Sequence, residues 1–169
     1  MCANYVNSEV DGKAAYGQPA PAVVGAPVFN TGVPSQWTTG LCGCCEDSSN
    51  CCVTWCCPCI TFGRNAEIID NGVTSCGHGG IIYSLLACVG CACYYTCTYR
   101  TKLRAFFNLP EDPCSDCLVH CCCLPCALCQ EHRELKNRGV DPTQGWMANA
   151  QKWKQVTMVP PPVAPAMGR

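Results

Sequence analysis

From Gly79 to Tyr99 the chain reads GGIIYSLLACVGCACYYTCTY, a run of 21 residues without one charged side chain. As a helix such a run spans about 30 Å, the thickness of a bilayer core. Tyr94, Tyr95 and Tyr99 gather toward one end, as an aromatic belt does, and Arg100, Lys102 and Arg104 follow at once. The pattern predicts a full transmembrane helix over 79–99, with the Arg100–Arg104 side in the cytosol. The competing reading is a helix buried on all faces of a soluble domain, which a chain this small rarely builds.

Two shorter apolar runs flank it. Cys51–Gly63 (CCVTWCCPCITFG) and Cys117–Cys129 (CLVHCCCLPCALC) each carry a proline, Pro58 and Pro125, that breaks the helical hydrogen-bond ladder. Neither is long enough to cross a bilayer comfortably, so both are predicted as elbow segments packed against protein. A charged helical stretch follows each, ending at Asn71-Gly72 in one case and Gly139 in the other. Glu134 and Arg138 are spaced for an i,i+4 pair. The expected fold is mainly α: one membrane helix between two Cys-Pro elbows, in a Cys-rich domain over 37–154. Residues 1–36 and the Pro-rich 155–169 read as flexible tails.

Cysteine supplies what aliphatic residues do not. There are 21, and apart from Cys2 all lie between Cys42 and Cys129. A disulfide scaffold is the common meaning of such density, but the N-terminus carries no secretory signal and the count is odd. Many cysteines are adjacent, which suits thiolate ligation or acylation, the latter at Cys2, Cys42, Cys44 and Cys45. The net charge of −1 gives no basic face for nucleic acid.

Thiolates favour zinc, cadmium and copper(I). Cys56, Cys57 and Cys59, around Pro58, form the strongest candidate ligand set. Cys114, Cys117, His120 and Cys121 form a second, with a C-x2-C spacing and an imidazole. Cys122, Cys126 and Cys129 follow at i, i+4, i+7. Cys88, Cys91, Cys93 and Cys97 either line a path or act as small fillers that let helices approach. Glu67 and Glu131 are candidate carboxylates for a looser cation route, against a surface ion pair of Glu67 with Arg64 and a solvated helix for Glu131. No nucleophile elbow, phosphate loop or zinc-protease motif is present, so no enzyme and no cofactor are expected.

From Trp37 to Trp146 the chain resembles the placenta-specific-8 domain proteins of plants, the plant cadmium-resistance and cell-number-regulator proteins. The residues that carry the resemblance are GLCGCCED (Gly40–Asp47), CCVTWCCPC (Cys51–Cys59), ITFGRNAEIIDNG (Ile60–Gly72), YRTKLR (Tyr99–Arg104) and CALCQEHRELKNRGVDPTQGW (Cys126–Trp146). The resemblance implies a plasma-membrane protein that forms homo-oligomers. One branch is linked to cadmium tolerance and zinc efflux, another to restraint of cell number. Three functions are expected from this: a homo-oligomeric zinc/cadmium conduit, a membrane-tethered metal binder, or a growth-regulating scaffold. The sulfur-rich chemistry favours zinc and cadmium over calcium, which wants oxygen ligands. The partners expected are membrane lipid, divalent metal ions and further copies of the chain.

Overall fold

The computed structural model describes residues 34–158, with side chains through 152. Of the tails expected over 1–36 and 155–169, residues 1–33 and 159–169 lie outside the described residues. Six helices run in order: α1 (Ser48–Cys56), α2 (Pro58–Ile69), α3 (Cys76–Cys88), α4 (Ala92–Phe107), α5 (Asp116–Asn137) and α6 (Gly145–Met158). Short 3-10 turns at Cys44–Asp47 and Pro142–Gln144 lead into α1 and α6, and no strand occurs among the described residues. The helical class is as expected, and α6 continues beyond Lys154.

The membrane helix is a correction. Among the described residues no helix is long and apolar enough to cross a membrane. The run 79–99 is divided between α3 and α4, and the cause is local. Gly90 takes φ +73°, the left-handed conformation that glycine enters without steric cost. Its N–H donates to the Ala87 carbonyl at 3.1 Å, and the Cys91 N–H donates to the Leu86 carbonyl at 2.8 Å. This pair of bonds is the Schellman stop, which satisfies the last carbonyls of α3 and reverses the chain. A reading by hydropathy and length counts Gly90 as merely uncharged and misses the stop.

The basic flank is also placed differently from a free interfacial anchor. Arg100 has 0 % exposure. Lys102 pairs with Asp70 at 2.7 Å and Arg104 with Asp116 at 3.0 Å.

Both elbows are broken beside their prolines. Cys57, just before Pro58, sits at φ −143°, ψ 72° between α1 and α2, in the extended region that a following proline imposes. Within α5, Cys123 has φ −147°, ψ 62°, and Pro125 follows the kink. The stops at Asn71-Gly72 and Gly139 are present, with positive φ at all three residues. The Gly72 N–H closes onto the Glu67 carbonyl at 2.8 Å and the Val140 N–H onto that of Leu135 at 3.0 Å.

Helix α2 is the centre, packed against the other five helices. One apolar cluster joins Phe62, Ala66, Tyr83, Ala92, Tyr99 and Leu128, and the other joins Ile68, Leu103, Phe107, Leu109, Leu135, Val140 and Trp146. Close approach of α2 and α3 depends on Gly63, where a Cβ would lie 2.2 Å from the Cys76 carbonyl oxygen. Backbone cannot move aside as a side chain can. Gly63→Ala is expected to push α3 off α2 and destabilise the fold by about 1–3 kcal/mol. Urea unfolding followed by circular dichroism measures this, and an unchanged midpoint would contradict the packing described.

Candidate functional site

The helix start at Ser48 sets up the first feature. Asp47 caps α1, accepting from the Asn50 N–H at 3.1 Å, and is held by Lys136 at 2.8 Å. The 3-10 turn before it carries Cys44 and Cys45 back over the first turn of α1, to Cys51. The three sulfurs all lie within 4.8 Å of one another. No other group of three or more Cys, His, Asp or Glu ligand atoms comes together as closely among the described residues. Zinc–sulfur bonds of about 2.3 Å set tetrahedral sulfurs about 3.8 Å apart, so small side-chain rotations complete such a site.

A fourth sulfur lies beneath. Cys129 of α5 is 1 % exposed, and it is among the neighbours that raise the Cys51 thiol. Desolvation, then the neighbouring Cys129, Cys44 and Cys45 thiols, push Cys51 up to about 11. The Cys51 thiol is therefore protonated at neutral pH, and a cation that binds there must displace its proton. Its donors are sulfur only, which selects thiophilic ions over magnesium or calcium.

The residues singled out from the sequence lie elsewhere. Cys56 and Cys57 are exposed at the α1–α2 break, and Cys59 is half-buried. Cys59 lines an apolar groove of about 370 Å³ between α2 and α3, with Gly80, Ile81, Leu85 and Cys88. Their sulfurs are not drawn together as those of Cys44, Cys45 and Cys51 are. Cys114 is exposed. Cys117 meets Cys97 of α4 at 2.9 Å, and the neighbouring Cys93 raises the Cys121 thiol. His120 is buried with both ring nitrogens engaged, Nδ1 with Thr96 Oγ1 and Nε2 with Glu131 Oε1, each at 2.9 Å.

The two carboxylates are tied into the framework. Glu67 accepts the N–H of Cys76 at 3.1 Å and that of Trp146 at 2.8 Å, joining the starts of α3 and α6. Glu131 is 1 % exposed and faces both His120 and Arg100. Around it is a buried polar layer that the sequence did not disclose. Arg100 meets Asp116 at 3.3 Å and Glu131 at 3.7 Å, and donates to Gln130 Oε1 at 2.9 Å. The Trp37 ring covers its guanidinium at 4.2 Å.

His132 lies in the adjoining layer, with Nδ1 at 3.1 Å from Asn65 Oδ1. Burial pushes its pKa down to about 4 from 6.5. The unfolded chain then binds the extra proton first as pH falls. Stability is full above about pH 6.5 and is lost as pH drops toward 4, by roughly 3 kcal/mol in all. Unfolding measured across that window in the parent and in His132→Gln should show the slope only in the parent. Equal slopes would assign the acid sensitivity to other groups.

Comparison with known proteins follows the same residues. The PLAC8 family matches residues 37–134. "Cell number regulator 7" of Zea mays is 52 % identical over 165 residues, covering 90 % of this chain and 91 % of that protein. "Protein PLANT CADMIUM RESISTANCE 6" of Arabidopsis thaliana is 46 % identical over 167 residues, covering 96 % and 72 %. "Protein PLANT CADMIUM RESISTANCE 2" of the same plant is 54 % identical over 118 residues, covering 69 % and 78 %. No solved structure matches significantly.

Proposed function

The chain belongs to the PLAC8 family, and on that premise we propose that it is a non-catalytic thiol protein of the plasma membrane that binds zinc and cadmium and contributes to heavy-metal resistance. The observation that carries this reading is the convergence of Cys44, Cys45 and Cys51, three free thiols with sulfurs within 4.8 Å. The names of the two cadmium-resistance relatives point the same way. Elemental analysis of the purified full chain, reduced and then equilibrated with zinc or cadmium, tests it. At least one ion should stay bound against a competing chelator such as nitrilotriacetate. A chain that returns metal-free would turn attention to the scaffold role that the cell-number relatives' names suggest.

A second reading is efflux through a homo-oligomeric assembly. It is favoured by the α3–α4 hairpin, which leaves Ile81, Leu85, Val89 and Tyr94 each more than half exposed. From Asn71 to Tyr99 there is no Asp, Glu, Lys or Arg. Such a surface suits lipid or neighbouring subunits. Zinc flux into proteoliposomes separates efflux from binding alone, and flux no faster than in empty vesicles would leave only the binder.

A further inference from the structure

Helices α4 and α5 run antiparallel, and their interface is built in rungs. Thr101 and Arg104 both meet Asp116, at 2.7 and 3.0 Å. Next, Cys97 Sγ lies 2.9 Å from Cys117 Sγ. The Thr96–His120 rung follows at 2.9 Å, and beyond it Cys93 is the neighbour that most raises the Cys121 thiol. Each helix therefore supplies two cysteines at i, i+4, one turn apart on the face turned to the other. All four thiols are free.

We propose that Cys93, Cys97, Cys117 and Cys121 form a second thiophilic-metal site, taking one Cd2+ or Zn2+ between α4 and α5. Side chains at i, i+4 have Cβ atoms about 5–6 Å apart. Rotation about each cysteine's single χ1 brings paired sulfurs toward the edge of about 3.8 Å that a tetrahedral zinc–thiolate site requires. Binding forms four metal–sulfur bonds and releases four thiol protons to solvent, leaving a net charge of −2 on the site. Cys117 and Cys121 are exposed, so an ion enters from the surface, while Cys97 at 6 % exposure anchors it from below. His120 between the rungs is already bonded at both nitrogens and serves to fix the register of the helices. This site extends the metal-binding reading above but uses none of the Cys44–Cys51 sulfurs, so each can fail without the other.

The test uses the full chain, reduced and metal-free, with cadmium chloride as the probe. Alkylation mapped by mass spectrometry should show Cys117 and Cys121 slowed about tenfold or more by cadmium, because metal-bound thiolate is withdrawn from reaction. Cys114 and Cys122, also exposed, should keep their rates. Independently, Cys93→Ser/Cys121→Ser should lose one cadmium per chain held against nitrilotriacetate, while retaining the ion of the Cys44–Cys51 cluster. Equal alkylation of Cys117 and Cys121 with and without cadmium would overturn the proposal. So would a folded double variant that keeps every ion, or a Cys97–Cys117 disulfide as the form that persists in reduced glutathione. If the double variant does not fold, the alkylation of the parent chain decides alone.

Discussion

Replacing Cys44 and Cys51 together by serine is expected to strip one tightly held zinc or cadmium ion from the chain and to abolish the heat stabilisation that ion confers. A closed thiolate site for zinc contributes about 10–16 kcal/mol of apparent binding free energy, which is nanomolar or far tighter binding over most of that range. The geometry supplies three sulfurs within 4.8 Å, and the buried Cys129, a neighbour of Cys51, is the candidate fourth. A serine hydroxyl keeps the shape but is a hard, protonated donor that a soft ion does not favour. Losing two of four thiolates should weaken binding by a thousandfold or more, on the order of 4 kcal/mol. The cluster joins the Cys44–Asp47 turn, α1 and α5, so occupancy locks three separated pieces of chain. With free zinc at about 1,000 times its dissociation constant, linkage adds about 4 kcal/mol to the stability of the parent. Melting curves of parent and variant, with and without zinc, measure this. The expected pattern is a large shift in the parent and none in the variant. A variant that melts with the parent's zinc-dependent shift would place the ion elsewhere. Affinity should also fall steeply in acid, since Cys51, pushed up to about 11, must give up its proton to bind.

Local signals in the sequence were reliable where the chain itself creates the constraint. Pro58 and Pro125 broke their helices, Asn71-Gly72 and Gly139 stopped theirs, and the Glu134–Arg138 pair formed. Gly90 is the same kind of signal, but it sits in an apolar run where hydropathy hides it. The site was less legible because it depends on distant parts of the chain. Cys44, Cys45 and Cys51 have no recognisable metal spacing. They meet because Asp47 turns the chain at the start of α1, and Cys129 joins from far along the sequence. The string Gln130–Glu134 reads as a solvated face, yet all five residues are buried. The reason is the segment just before the Cys-rich turn, which lies across α5. The Thr38 N–H donates to Glu134 at 2.8 Å, Gln130 donates to the Thr39 carbonyl at 2.9 Å and Arg133 to the Gly40 carbonyl at 2.9 Å. A pattern along one helix cannot reveal a cover supplied from another part of the chain.

Arg100→Met is expected to be the most damaging single change to the fold, at about 3–5 kcal/mol, although methionine matches the aliphatic stem and belongs in an apolar core. The cost comes from what remains. Asp116 and Glu131 are 6 % and 1 % exposed, and both lose their shared cation. Gln130 Oε1 and the Asp112 carbonyl lose a donor, and the Trp37 ring loses the guanidinium stacked on it. Arg104 still reaches Asp116 at 3.0 Å, so the unpaired charge falls mainly on Glu131, whose one remaining partner is His120. This predicts an unequal rescue. Adding Glu131→Gln to Arg100→Met should recover a substantial part of the loss, because it removes the stranded charge, whereas adding Asp116→Asn should recover little. A double-mutant cycle from urea unfolding gives the two coupling energies directly. Comparable rescue by both, or a loss below about 1 kcal/mol for Arg100→Met, the size of an exposed ion pair, would mean that water reaches this layer and that Arg100 is not its keystone.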